Sequence, residues 1–156
     1  MKSKTPVTSN AFSAAAQSYL FDLYGDPRTP GWQQRWMTLW NVQKEFPWFP
    51  KEKMYLHKDF QKILHGAFAA LERAGVHTEI KSCAGTFNIR AVRGSYSVLS
   101  THSWGAAIDL NAQDNPMGSE GKWSPKFLLT MVENKVFCGQ LWIGRKDPMH
   151  FAMVNG

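Results

Sequence analysis

Two separated segments place the strongest constraint on this chain: Ser100-Thr-His-Ser-Trp-Gly-Ala-Ala-Ile-Asp109, and Asp147-Pro-Met-His150. Asp109 stands between Ile108 and Leu110, and a carboxylate in an apolar strand is costly unless it is paired or bound to a metal. A fold that buries this strand must therefore bring Asp109 a partner. His102 is one candidate, because Gly105 permits a tight turn between the two. His150 offers a second imidazole, and Asp147 a second carboxylate just before it on a proline-stiffened turn. Two imidazoles and one acid leave a fourth position open. That is the ligand set of a catalytic zinc site, whereas a structural site fills all four positions.

Simpler readings stand beside this one. His102 can be a loop histidine held by one hydrogen bond, and Asp147 can merely orient the His150 ring. In the catalytic reading, zinc acidifies a water, and Asp147 takes its proton and passes it to the leaving amine. The oxyanion that forms needs a positive partner besides the metal. Arg90 or Arg93, in a polar glycine-containing loop over 82–94, can supply it, grip a substrate carboxylate, or simply face solvent.

Other nucleophiles have less support. Ser100 and Ser103 flank His102, but no GxSxG elbow is present. Cys83 has no activating neighbour in sequence. A set of Cys83, Cys138, His102 and His150 would form a closed structural zinc site. His57, His65 and His77 lack acidic or histidine neighbours at suggestive spacing, and His65 is expected to be partly buried near the centre of a helix.

The apolar periodicity predicts a helix over 11–24, with Phe12, Ala15, Ala16, Tyr19 and Leu23 on its buried face. Trp32, Trp36 and Trp40 are spaced for a second helix over 32–42, and 46–50 reads as an aromatic loop. The clearest helix spans 59–74, with Phe60, Ile63, Leu64, Ala67, Phe68 and Leu71 as its stripe and Gly75 as its C-terminal cap. Strands are expected at 76–80, 97–101, 106–111 and 150–154, and a surface loop at 111–123. Ser124-Pro125 starts a last helix expected to run to Phe137, with Gly139 ending it. Residues 1–10 read as a flexible arm. The expected fold class is α+β: helices early, packed on a small, mainly antiparallel sheet that bears the chemistry.

A chain of 156 residues suits one domain whose core needs no disulfide or metal staple. Its two cysteines, Cys83 and Cys138, are far apart and not in a CxxC pair, so both are expected free and at least partly buried, as in a reducing compartment. A net charge of +6 favours an anionic partner. The basic residues are scattered without a long run, which argues against nucleic acid. No apolar stretch reaches membrane-spanning length, and the basic start leads into no signal-peptide core. The product is therefore expected soluble in the cytoplasm, without stable membrane insertion, and monomeric.

Three stretches carry a resemblance: Phe87-Asn88-Ile89-Arg90, Ser100 to Asn111, and Asp147-Pro-Met-His150-Phe151. Together they resemble the zinc D,D-carboxypeptidase and L-alanyl-D-glutamate peptidase family, particularly its small phage endolysins. The resemblance implies a Hedgehog/D,D-peptidase-like α+β domain over 1–156 that binds one zinc ion through His102, Asp109 and His150. It makes Asp147 the general base and Arg90 the residue that meets the substrate near its scissile carbonyl. The implied partner is bacterial peptidoglycan, cut in its stem peptides at the L-Ala–D-Glu bond during host lysis. Such a protein would be made in the host cytoplasm and reach the wall through a separately encoded pore. A D-alanyl-D-alanine carboxypeptidase and a non-catalytic, zinc-stabilised wall-binding module are the alternatives. Leu141-Trp142-Ile143-Gly144-Arg145-Lys146 departs from the family's Trp-Gly-Gly-x-Trp pattern, and Ala152 replaces a common glutamate. One wall of the groove is therefore expected to differ.

Overall fold

Helix α4 (Lys58–Ala74) buries Phe60, Leu64, Ala67, Phe68 and Leu71, the stripe expected from its spacing. His57 caps its start, Nδ1 accepting the Asp59 amide hydrogen at 3.0 Å. Gly75 ends it in the left-handed conformation, its amide bonded to the Leu71 and Glu72 carbonyls. The computed structural model describes residues 12–156, so the arm expected over 1–10 lies outside the described residues.

A core of large apolar side chains joins this helix to the rest of the chain. Trp40, Phe46, Phe49 and Phe68 meet Ile108, Leu110, Phe127 and Phe151 in one cluster. Trp40 stacks on Phe68 with ring centroids 5.8 Å apart. Helix α5 (Pro125–Glu133) contributes Phe127, Leu128 and Met131. Ser124 caps it by accepting the Phe127 amide hydrogen, and also donates its hydroxyl to Glu79 at 2.6 Å. Helix α1 (Ser13–Tyr24) packs into a second cluster, where Leu20 meets Trp32, Trp104 and Ala106.

The fold is a small α+β arrangement of helices and antiparallel sheets. Strands β1 (Met37–Trp40) and β2 (Met54–His57) form a two-stranded sheet. The second sheet has the order β3 (Cys83–Gly85), β4 (Ala107–Leu110), β6 (Asp147–Ala152), β5 (Phe137–Gly139), with every neighbouring pair antiparallel. Between β4 and β6 the register sets Ile108 opposite Phe151, and Asp109 opposite His150. Side chains alternate along a strand, so the apolar pair joins the core while Asp109 and His150 share the other face.

Several sequence expectations need correction. The buried face of α1 is Ser13, Ala16 and Leu20, while Tyr19 and Leu23 are exposed. The helix expected over 32–42 stops at Trp36: residues 32–36 form α2, the chain then pairs as β1, and a short turn, α3 (Val42–Glu45), follows. Residues 77–79 form a 3-10 turn instead of a strand. The strand expected over 97–101 reduces to one bridge, Ala91 with Leu99. Helix α5 ends at Glu133, so Val136 is buried beyond it and Gly139 belongs to β5. The last strand starts at Asp147, which places that acid in the sheet and not on a preceding turn. His65 is exposed and pairs with Glu45.

Candidate metal centre

His102 lies in a 3-10 turn, Thr101–Trp104, and not at the end of a strand. The Ser100 hydroxyl caps the turn through the His102 amide, and Gly105 closes it in the left-handed conformation with φ 61°. A side chain at Gly105 would collide with Met37 and with the His57 amide nitrogen, which donates to the Gly105 carbonyl at 2.9 Å. Trp104 anchors the turn to α1: its indole N–H donates to the Gly25 carbonyl at 2.9 Å, and its ring meets Phe21 edge-on. The chain then enters β4, where Asp109 turns toward His102.

The result is a cluster of three donors. His102 Nε2 lies 3.2 Å from Asp109 Oδ1, and His150 Nδ1 lies 3.8 Å from the same oxygen. One ligand atom from each of His102, Asp109 and His150 lies within 4.8 Å of the others, so together they could hold a metal ion. Ligands about 2.0–2.1 Å from a tetrahedral zinc ion are separated by roughly 3.3 Å, close to these spacings.

Both rings are held from behind. The Nδ1 of His102 faces the Thr86 carbonyl at 3.2 Å, and Nε2 of His150 faces the Gly156 carbonyl at 2.7 Å. A carbonyl oxygen only accepts, so each contact calls for a proton on that ring nitrogen and leaves the other nitrogen facing Asp109, where it can bind a cation when the ring is neutral. The Thr101 hydroxyl sits 3.1 Å from His150 Nε2 and donates to Gly156 at 3.2 Å. These contacts involve backbone carbonyls and a hydroxyl, which no residue pattern marks in the sequence.

The electrostatics suit a cation. Burial pushes His150 down to about 4, helped by the neighbouring His102, so it is neutral near pH 7. Burial raises the Asp109 carboxyl, but the His102 hydrogen bond and the charges of His102, His150 and Arg90 outweigh it, leaving it below the ordinary value. Asp147 behaves oppositely: burial, then the charge of Asp109, raises it to about 6. Its Oδ1 is buried and has no hydrogen-bond partner. Asp147 is held there by a close strand approach, since a side chain at Gly139 would strike the Asp147 carbonyl.

Asp147 and His150 line a small cavity of about 40 Å³, open to solvent, together with Arg90, Arg93, Trp142 and Arg145. Arg90 is tied to the turn that carries His102. The buried Ser103 hydroxyl accepts from the Arg90 amide and donates to the Arg90 carbonyl, both at 3.1 Å. Ser103 is thus committed to the backbone and is no nucleophile. Cys83 and Cys138 are free thiols, raised to about 11 and about 12 by burial, and neither belongs to the cluster. Sequence reasoning missed Thr86, Thr101 and Gly156, and it named Trp142 and Arg145 only as part of a divergent segment.

Residues 93–153 match the model of a family described as D-alanyl-D-alanine carboxypeptidase. The matched stretch is less than half of the chain, yet it contains His102, Asp109, Asp147 and His150. Over that stretch the chain is similar to this peptidase family. No curated protein and no solved structure matches the chain. No helix among the described residues is long and apolar enough to cross a membrane.

Proposed function

We propose that the chain is a single-domain, zinc-dependent hydrolase of peptidoglycan stem peptides, with His102, Asp109 and His150 as the zinc ligands. The observation that carries this reading is the convergence of those three donors beside the buried, unpartnered carboxylate oxygen of Asp147. The similarity of residues 93–153 to the D-alanyl-D-alanine carboxypeptidase family supports a peptide substrate from the cell wall. Two imidazoles and a carboxylate suit zinc and leave a coordination position for chemistry.

A bound zinc ion would supply Lewis acidity toward a carbonyl and an attacking water. Asp147, raised toward neutrality, is suited to accept a proton from that water and return it to the leaving amine. Arg90, whose backbone is held by Ser103, would meet the developing negative charge on the scissile carbonyl oxygen with its side chain. The carbonyls of Thr86 and Gly156 would hold the two imidazoles in ligand orientation.

The bond we assign is L-Ala–D-Glu, and the biological role is lysis of a bacterial host by a phage, from a monomer made in the host cytoplasm that acts on the wall. The description of the matched family favours a second reading, release of terminal D-alanine. Mass spectrometry of digested sacculi separates them. New amino termini on D-Glu support the endopeptidase, free D-alanine supports the carboxypeptidase, and binding to sacculi with neither product leaves only a wall-binding module.

A further inference from the structure

The cavity beside the metal cluster holds more positive charge than the hydrolytic chemistry uses. Arg90, Arg93 and Arg145 all line it, and Asp147 is its one acidic side chain. Among the described residues, none of the three arginines forms an ion pair. Asp147 feels the charges of Arg90 and Arg145, but burial and Asp109 outweigh them, and its Oδ1 stays without a partner. Three arginines on the lining of one small cavity concentrate positive charge there, and a bound anion would offset it.

The loops that carry the extra arginines are fastened together. Arg145 donates from Nη2 to the Arg93 carbonyl at 3.0 Å, linking 141–146 to 91–99 at the cavity. Trp142, three residues before Arg145 in sequence, is fixed as well. Its indole N–H donates to Asn155 Oδ1 at 3.0 Å, and its ring lies 5.3 Å from that of His150. Arg145 is therefore carried by a loop anchored against a proposed metal ligand. A guanidinium held in this way presents a planar fork of donors matched to a carboxylate.

Resting on the hydrolase reading above, we propose that Arg93 and Arg145 form an anion subsite distinct from Arg90. It selects peptides whose leaving fragment carries two free carboxylates over those that carry one. Arg90 serves the scissile carbonyl, while the Arg93–Arg145 pair grips a carboxylate farther along the leaving fragment. The pair acts on binding and leaves proton transfer to Asp147.

The test compares two synthetic stem peptides of equal length with the zinc-loaded protein. One keeps both carboxylates on its leaving fragment, and the other has the distal one as a carboxamide. The dicarboxylate is expected to show a KM roughly tenfold lower at similar kcat, the size of one partly exposed charge-assisted contact. Arg145→Gln should raise KM for the dicarboxylate and leave the carboxamide unchanged, collapsing the preference. Arg145→Lys should restore part of it, and both variants should still melt cooperatively as folded proteins. Equal KM values in the wild type, or an Arg145→Gln effect of the same size on both peptides, would overturn the subsite. So would inhibition by a glycerol phosphate polymer combined with equal use of both peptides. If neither peptide is cut, the hydrolase reading fails, and titration calorimetry with the same pair decides the subsite. Tighter binding of the dicarboxylate supports it, and equal or absent binding refutes it.

Discussion

The Nε2 of His150 lies 2.7 Å from the Gly156 carbonyl oxygen, which turns Nδ1 of the same ring toward Asp109. The Thr101 hydroxyl stands 3.1 Å from the same Nε2 and bonds the same carbonyl. Thr101→Val keeps the shape of the side chain and removes the hydroxyl. Loss of such an outer contact typically lowers metal affinity by about tenfold or somewhat more. Competition with a chromophoric chelator should therefore show weaker zinc binding in T101V, and near wild-type binding in T101S. Equal affinity in all three would mean that Gly156 alone orients the ring.

Asp147 should separate metal binding from turnover. Asp147→Asn is expected to keep one zinc per chain while losing about a hundredfold to ten-thousandfold in kcat on stem peptides. The wild-type activity should rise with pH as the carboxyl loses its proton. Because burial holds Asp147 at about 6 before any cation is bound, and a bound cation lowers it further, the acid limb should lie at or below that value. In D147N the limb should vanish from the residual rate. A D147N protein as active as the wild type would exclude the proton-transfer role.

His57 gives a prediction about stability and not about catalysis. It is fully buried among Tyr24, Trp32 and Trp36, and burial pushes it from 6.5 down to about 4. Between those values the unfolded chain holds a proton that the folded chain refuses. Stability is thus fully present above pH 6.5, falls as pH drops through the window, and stops falling below about pH 4. The loss from this group amounts to at most about 3 kcal/mol. Asparagine still caps a helix and does not titrate. Urea midpoints at pH 7.5 and pH 5 should therefore differ less in H57N than in the wild type. The same drop in both proteins would acquit His57.

The sequence made the cluster more legible than the path of the chain around it. Asp109 between two apolar neighbours demanded a partner, and the register of β4 against β6 provides His150. The stripe of α4 and the Ser124-Pro125 start were readable because local pattern and tertiary burial agree there. Trp32, Trp36 and Trp40 misled because their spacing is helical, yet the chain turns extended after Trp36 so that β1 pairs with β2 and Trp40 reaches Phe68. The turn at His102 did carry a signal, a capping Ser100 followed by Gly105, but the strand expected over 97–101 masked it. Thr86 and Gly156 act through backbone carbonyls, which every residue type possesses. Arg145 became meaningful only when folding brought it beside Arg93.

The most direct measurement is a zinc titration of chelated protein, followed by release of new amino termini from purified sacculi. Activity should be absent without metal, rise linearly with added zinc, and break sharply at one equivalent per chain, while H102A and H150A stay inactive throughout. Undiminished cleavage after complete chelation, or no cleavage at any zinc level, would contradict a zinc hydrolase built on His102, Asp109 and His150.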